Sequence, residues 1–249
     1  MRSVRHAVVG LLVGFGATIL TVPAGANAQS MAVPEYIYPP WTQMDAGAPV
    51  ISIAVMNPAS GPGKKSDAQY VSAVKAAQAA GIGVLGYVAT SYGQRSLSAV
   101  ESDISSYYNW YGVNGIFLDE ASTSCTLKSY YATLDVYVKA KGGVGRVIIN
   151  PGEQTNSCYS SAADIIVNFE GSYTEYVRSY SAPSWVGSAP ASEFWQIIYN
   201  TPAANLSQAI ALSKARNAGY VYVTSYGLPN PYGEVPSASY WTTQLTDIG

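Results

Sequence analysis

Eight short apolar runs, each rich in β-branched or aromatic residues, punctuate the chain. They are Glu35–Tyr38, Val50–Met56, Val84–Val88, Gly115–Leu118, Arg146–Ile149, Asp164–Phe169, Phe194–Ile198 and Tyr220–Thr224. Most are continuously apolar instead of alternating, which is how strands buried on both faces of a parallel sheet read. Between them lie helical patterns with start and stop signals. Ser66-Asp67 predicts the start of a helix through Ala80, stopped by Gly81. Ser96 to Trp110 predicts a second, ended by Gly112. Leu127 to Lys141 gives a third before Gly142-Gly143, and Ala203 to Ala218 a fourth before Gly219. Shorter helices are expected at Tyr173–Tyr180 and Ala238–Asp247.

Strand–helix alternation over eight strands predicts an α/β fold, a single (β/α)8 barrel of the TIM type. Two connections are too short or too broken for a full helix. Residues 39–49 hold three prolines and a glycine, and residues 152–163 are polar and turn-like. Helices are therefore expected to be missing or reduced after strands one and five. A doubly wound open sheet is the rival, weakened because no glycine-rich dinucleotide fingerprint follows any strand.

The first residues change the picture of where the protein works. Arg2 and Arg5 precede an apolar stretch from Ala7 to Leu20, and Pro23 leads into Ala26-Asn27-Ala28, an A-x-A cleavage pattern. The stretch is shorter than the ~20 residues that span a bilayer, so a retained anchor is the weaker reading. Residues 1–28 read as a secretory signal peptide and residues 29–249 as one barrel domain. The segment carries two arginines and no acid, so the charge falls from −2 to −4 on its removal. With no basic run or stripe, neither nucleic acid nor an anionic membrane is an expected partner.

The only histidine, His6, lies in that leader. A mature chain without imidazole excludes Ser-His-Asp and Cys-His catalysis and a His-ligated zinc site, so no metal or other cofactor is expected. Proton transfer falls mainly to carboxylates. Cys125 and Cys158 are the only thiols and, in an exported protein, predict one disulfide.

The fifteen acids sort by position. Glu35, Asp164 and Glu193 are expected to open strands, on the face of the barrel away from chemistry, while Asp67, Glu101, Asp103, Asp135, Glu175 and Asp247 fall in helical patterns. Asp119, Glu120 and Glu170 instead close apolar strands, at the end where a barrel carries its active site. Three carboxylates meeting there would push their pKa values apart, as cleavage by an acid and a nucleophile or base requires. The bland alternative is pairing with Lys, Arg or loop amides. Neighbouring strand residues point oppositely, so Asp119 and Glu120 are not both expected to aim down the axis. Asn57, Asn150 and Asn200 sit at other strand ends, with Tyr36, Tyr38, Tyr87, Tyr92, Tyr199 and Tyr226 close by. Amides and aromatic faces suit sugar hydroxyls and pyranose rings, although Asn57 and Asn150 each precede proline and also read as turn formers.

Taken in order, Asn57-Pro58-Ala59-Ser60-Gly61-Pro62-Gly63, Gly86-Tyr87-Val88-Ala89-Thr90-Ser91-Tyr92-Gly93, Gly115-Ile116-Phe117-Leu118-Asp119-Glu120, Asn150-Pro151-Gly152 and Phe169-Glu170 form a set. This set resembles the spherulin-4-like family (glycoside hydrolase family 135) across Tyr38 to Tyr226. The resemblance implies a (β/α)8 barrel that cleaves α-1,4-linked N-acetylgalactosamine within galactosaminogalactan, a biofilm exopolysaccharide of filamentous fungi. It also implies that Asp119, Glu120 and Glu170 match the family's acids.

The expectation is a secreted, monomeric endo-glycosidase acting on a polysaccharide. Asp119 serves as nucleophile or electrostatic stabiliser, Glu170 as general acid/base and Glu120 as an orienting group. Tyr38, Asn57, Tyr87, Tyr92, Asn150, Tyr199 and Tyr226 are the candidate substrate contacts. Two alternatives stand: a non-catalytic carbohydrate-binding or cell-surface protein on the same scaffold, and a hydrolase of a different amino-sugar polymer.

Overall fold

A computed structural model describes residues 28–249. The expected export segment, with His6, lies outside the described residues. Eight parallel strands close into one barrel in sequence order: β1 (Ser30–Glu35), β2 (Ile51–Met56), β3 (Gly83–Ala89), β4 (Gly115–Asp119), β5 (Arg146–Ile149), β6 (Ile165–Ser172), β7 (Phe194–Tyr199) and β8 (Tyr220–Val223). Ser30 and Met31 pair with Tyr220 and Val221 to complete the ring. Seven α-helices surround it among the described residues: α1 (Thr42–Asp45), α2 (Ala68–Ala79), α3 (Leu97–Tyr111), α4 (Lys128–Lys139), α5 (Tyr173–Arg178), α6 (Leu206–Ala215) and α7 (Ala238–Ile248). After β1 the connection makes a single helical turn, and after β5 only a 3-10 turn at Ser157–Ser161. The proline-broken and polar segments could not sustain more.

Local chemistry sets the helix limits. The Asp67 side chain accepts from the Gln69 amide, and Ser96 from Ala99. Ser172 and Glu175 form a reciprocal capping box on α5. Gly112, at φ 65°, ends α3 in the left-handed conformation. Strand β3 lets α3 come close because a side chain on Gly86 would run into the Tyr107 ring.

The strands hold two buried layers. Tyr87, Phe117 and Trp195 stack through the barrel interior, with ring centroids 6.2 and 5.6 Å apart in sequence. Outside, Phe169 packs on Tyr176 and Tyr180, and Trp185 on Phe194, between sheet and helices. No helix among the described residues is long and apolar enough to cross a membrane.

One boundary corrects the sequence reading in a way that matters. The first strand runs Ser30–Glu35, not Glu35–Tyr38. Met31, Ala32, Val33, Pro34 and Glu35 are in register with β2, at Ile51, Ile53, Ala54, Val55 and Met56. Glu35 therefore closes β1 instead of opening it, and lies at the same end of the barrel as the last residues of the other strands. Asp164 does precede its strand, and its carboxylate accepts from the Val147 amide, 2.8 Å, and pairs with Lys139.

Cys125 and Cys158 are joined, 33 residues apart in sequence. The bond ties the loop after β4 to the loop after β5. Closing a loop of that size restricts the unfolded chain by roughly 3–4 kcal/mol in the chain-entropy description.

Candidate active site

Asp119 is the last residue of β4 and shares the inward side of the strand with Phe117, two residues earlier. Glu170 reaches the same space by a less obvious route. Along the β6–β7 pairing, Val167 matches Trp195 and Phe169 matches Gln196, so Asn168 is an extra residue on β6. Without this bulge, strict alternation from the inward Val167 would turn Phe169 into the barrel and Glu170 out. With it, Phe169 joins the outer layer and Glu170 faces the mouth. Bulges commonly re-aim a side chain beside a site.

Between the two acids stands Asn150, immediately after β5. Its Oδ1 accepts from the Gly152 amide at 2.9 Å, which fixes the orientation of the side-chain amide. Its Nδ2 then donates to Asp119 Oδ1 at 2.9 Å and to Glu170 Oε2 at 2.5 Å. Those two distances add to 5.4 Å, the largest separation the two carboxyl oxygens can have. The other oxygen of Glu170, Oε1, accepts from the Tyr232 hydroxyl at 2.6 Å. Asp119 also accepts from the Tyr87 hydroxyl and the Glu120 backbone. Tyr36 completes the cluster, meeting Tyr87 and Tyr232 edge-on at centroid distances of 5.7 and 5.6 Å.

The electrostatics follow from this crowding. Burial pushes the Asp119 carboxyl up to about 6, and the neighbouring Glu170 adds to the rise against its hydrogen-bond donors. Burial and the same carboxylates drive the Tyr36, Tyr87 and Tyr232 phenols well above their ordinary range. They stay neutral and serve as donors. Among the described residues the salt bridges are Arg95 with Asp103, and Lys139 with Asp135 and Asp164. None neutralises Asp119, Glu120 or Glu170, which removes the ion-pair alternative raised for them above. All three remain partly open to solvent. No group of three or more His, Cys, Asp or Glu among the described residues is arranged to hold a metal ion.

Glu120 sits where the strand ends, at φ 50°. Its carbonyl accepts from the Thr90 hydroxyl at 2.8 Å and the Tyr92 amide at 2.6 Å, and Ser91 and Tyr92 also have positive φ. Strained backbone on non-glycine residues costs about 1–3 kcal/mol each and clusters where geometry is functionally fixed. Here it is gathered on the face that carries the acids.

The other sequence candidates divide. Tyr199 lines a cleft of about 490 Å³ beside Glu170, together with Phe169, Glu153 and Glu175. Tyr92 stands on the rim, 58% exposed. Tyr38, 57% exposed, donates to Asp67 and packs on Tyr70. Asn57 accepts from the Gly61 amide within its own turn, and Tyr226 donates to the Val235 carbonyl. These last three are not brought to the acids. Tyr232 was not foreseen. It lies in the Pro- and Asn-rich loop beyond β8, and its sequence offers no signal besides an aromatic residue on the catalytic side.

The comparisons with known proteins agree with this geometry. Residues 30–248 match the model of spherulation-specific family 4. Spherulin-4 of Physarum polycephalum is 36% identical over 194 residues, a match spanning 72% of this chain and 58% of that protein. Among solved structures, Aspergillus clavatus Sph3 in complex with GalNAc superposes with a TM-score of 0.78 at 26% identity, over 89% of this chain and 97% of that one. A chitinase from Chromobacterium violaceum shares the fold at 12% identity, with a TM-score of 0.58 over 88% of this chain and 99% of its own. The barrel is thus one used by glycoside hydrolases, and the chain belongs to the spherulin-4 family.

Proposed function

We propose that this chain is a secreted, monomeric endo-glycosidase that hydrolyses α-1,4-linked N-acetylgalactosamine in a galactosaminogalactan-like exopolysaccharide, after removal of residues 1–28. The observation that carries the reading is the Asp119–Asn150–Glu170 bridge. One amide holding a carboxyl oxygen of each acid keeps that pair no more than 5.4 Å apart, short of the 6.5–9.5 Å carboxyl separation with which inverting enzymes admit a water and on the side of retaining ones. Membership of the spherulin-4 family and the likeness to a structure that holds GalNAc support the choice of sugar.

Glu170 is the general acid/base. Protonated, it delivers its proton to the glycosidic oxygen as that bond breaks; ionised, it then takes one from the incoming water. Asp119 remains fixed by Tyr87, Asn150 and the Glu120 amide, and its carboxylate faces the developing positive charge at the anomeric carbon. It bonds to that carbon as the glycosidic bond breaks, and the incoming water then displaces it, breaking the new carbon–oxygen bond. Glu120 holds the end of β4 and adds negative potential, and Tyr232 keeps Glu170 on target. Tyr199 and Tyr92 offer aromatic surface along the cleft and rim for pyranose faces. The disulfide fits an oxidising, extracellular setting.

The test is release of reducing ends from α-1,4-linked N-acetylgalactosamine oligomers, with chitin oligomers in parallel. Turnover of the first and not the second is expected. Saturable binding without any release would instead support a carbohydrate-binding protein, and preference for chitin would move the substrate to another amino-sugar polymer.

A further inference from the structure

A second carboxyl group closes a strand on the catalytic side and takes no part in the site above. Tyr36 turns into the barrel mouth, so Glu35 projects from the opposite side of the chain. It enters a separate pocket of about 190 Å³ that it shares with Trp41, Gln43, Met44, Val235 and Trp241. Its side chain is 4% exposed. Among the described residues no hydrogen bond or ion pair involves its carboxyl group, and no Lys or Arg lines the pocket. The groups coupled to it electrically are Asp45 on α1, Tyr70 on α2 and Tyr222 on β8. None is cationic, while α7 contributes the indole of Trp241. Gln43 Nε2, Trp241 Nε1 and Asp45 Oδ1 are also buried without partners.

A buried acid with neither donor nor counter-ion is expensive, and so are buried N–H groups without acceptors. A cationic ligand in the pocket would relieve the first, since the Glu35 carboxyl faces the pocket. A hard metal ion requires six or more oxygens, which a wall of two indoles, a methionine and a valine does not give. An ammonium needs one carboxylate and tolerates aromatic surroundings. We propose that the pocket behind β1 is a binding site for a protonated primary amine, with Glu35 as counter-ion and the indoles of Trp41 and Trp241 as its aromatic walls. A small amino alcohol and the unacetylated residue of an amino-sugar chain share this chemistry. The site is independent of the hydrolytic reading.

Calorimetric and tryptophan-fluorescence titrations in amine-free buffer at pH 7.5 test it, using ethanolamine, galactosamine, N-acetylgalactosamine and sodium chloride at matched ionic strength. Sodium is expected to be silent, any N-acetylgalactosamine response to survive Glu35→Gln because it arises at the candidate active site, and at least one amine to show saturable binding. Glu35→Gln, checked by circular dichroism for an intact fold, is expected to weaken it at least tenfold. Tighter binding of galactosamine than of ethanolamine would assign the site to a sugar amine, and the reverse to a small free amine; both uphold the proposal. No binding of either amine, an equal response to sodium, or undiminished amine binding by Glu35→Gln would overturn it.

Discussion

Asp119→Asn and Glu170→Gln are each expected to lower kcat by about 10³-fold, with little loss of folding stability. Both replacements keep shape and remove only the ability to carry negative charge or exchange a proton. The Asn150 amide would lose a charged acceptor on one side and keep it on the other. The double variant is expected to be hardly worse than either single one, because residues that act as a unit are not additive. Steady-state kinetics on N-acetylgalactosamine oligomers, with circular dichroism to confirm folding, provides the check. Either single variant retaining more than a tenth of wild-type kcat would remove that residue from the chemistry.

The second large effect concerns stability. Burial, reinforced by Asp45, raises Glu35 from 4.5 to about 8. The folded state therefore holds this proton more tightly than the unfolded chain does. The stabilisation is complete below the unfolded value and is lost as pH rises through the folded one. By linkage the loss amounts to on the order of 4 kcal/mol between pH 4.5 and 9. Asp119 contributes a slope of the same sign at lower pH, between 3.8 and about 6. The window from pH 6 to 9 thus isolates Glu35. Urea unfolding in borate and phosphate, without amines, is expected to show falling stability across that window, and Glu35→Gln is expected to remove most of the fall. An unchanged slope in the variant would show that the Glu35 carboxyl is solvated in the folded protein.

Much of the architecture was legible because parallel strands buried on both sides leave continuous apolar runs, and because Asp67, Ser96 and Gly112 mark helix ends chemically. The first strand was not. Its apolar core is Met31-Ala32-Val33, followed by Pro34, whereas the sequence reading placed the strand at Glu35–Tyr38. In the barrel Pro34 is in register with Val55 of β2, while only Ser30 and Met31 pair with β8. That shift of five residues hid Glu35 among the structural acids.

The proposed pair, Asp119 and Glu170, was legible by position and not by orientation. Glu170 could be picked out as an acid ending an apolar run. Its inward aim depends on the extra residue Asn168, which no local pattern announces. Asn150 read equally well as a turn former and a polar contact, and it is both: one end of its amide makes the turn with Gly152 while the other joins the acids. Tyr232 reaches Glu170 across 62 residues of sequence, and contact at that range is set by barrel closure and not by any local signal.

The most direct measurement is the anomeric configuration of the first-formed product, followed by proton NMR before mutarotation. Two carboxyls bridged by one amide suit displacement by Asp119 over attack by a water activated across a wide gap, so the newly released reducing end is expected to appear as the α-anomer, retaining the configuration of the bond cleaved. Initial appearance of the β-anomer would mean inversion, and would contradict the assignment of Asp119 and Glu170 as a closely spaced catalytic pair.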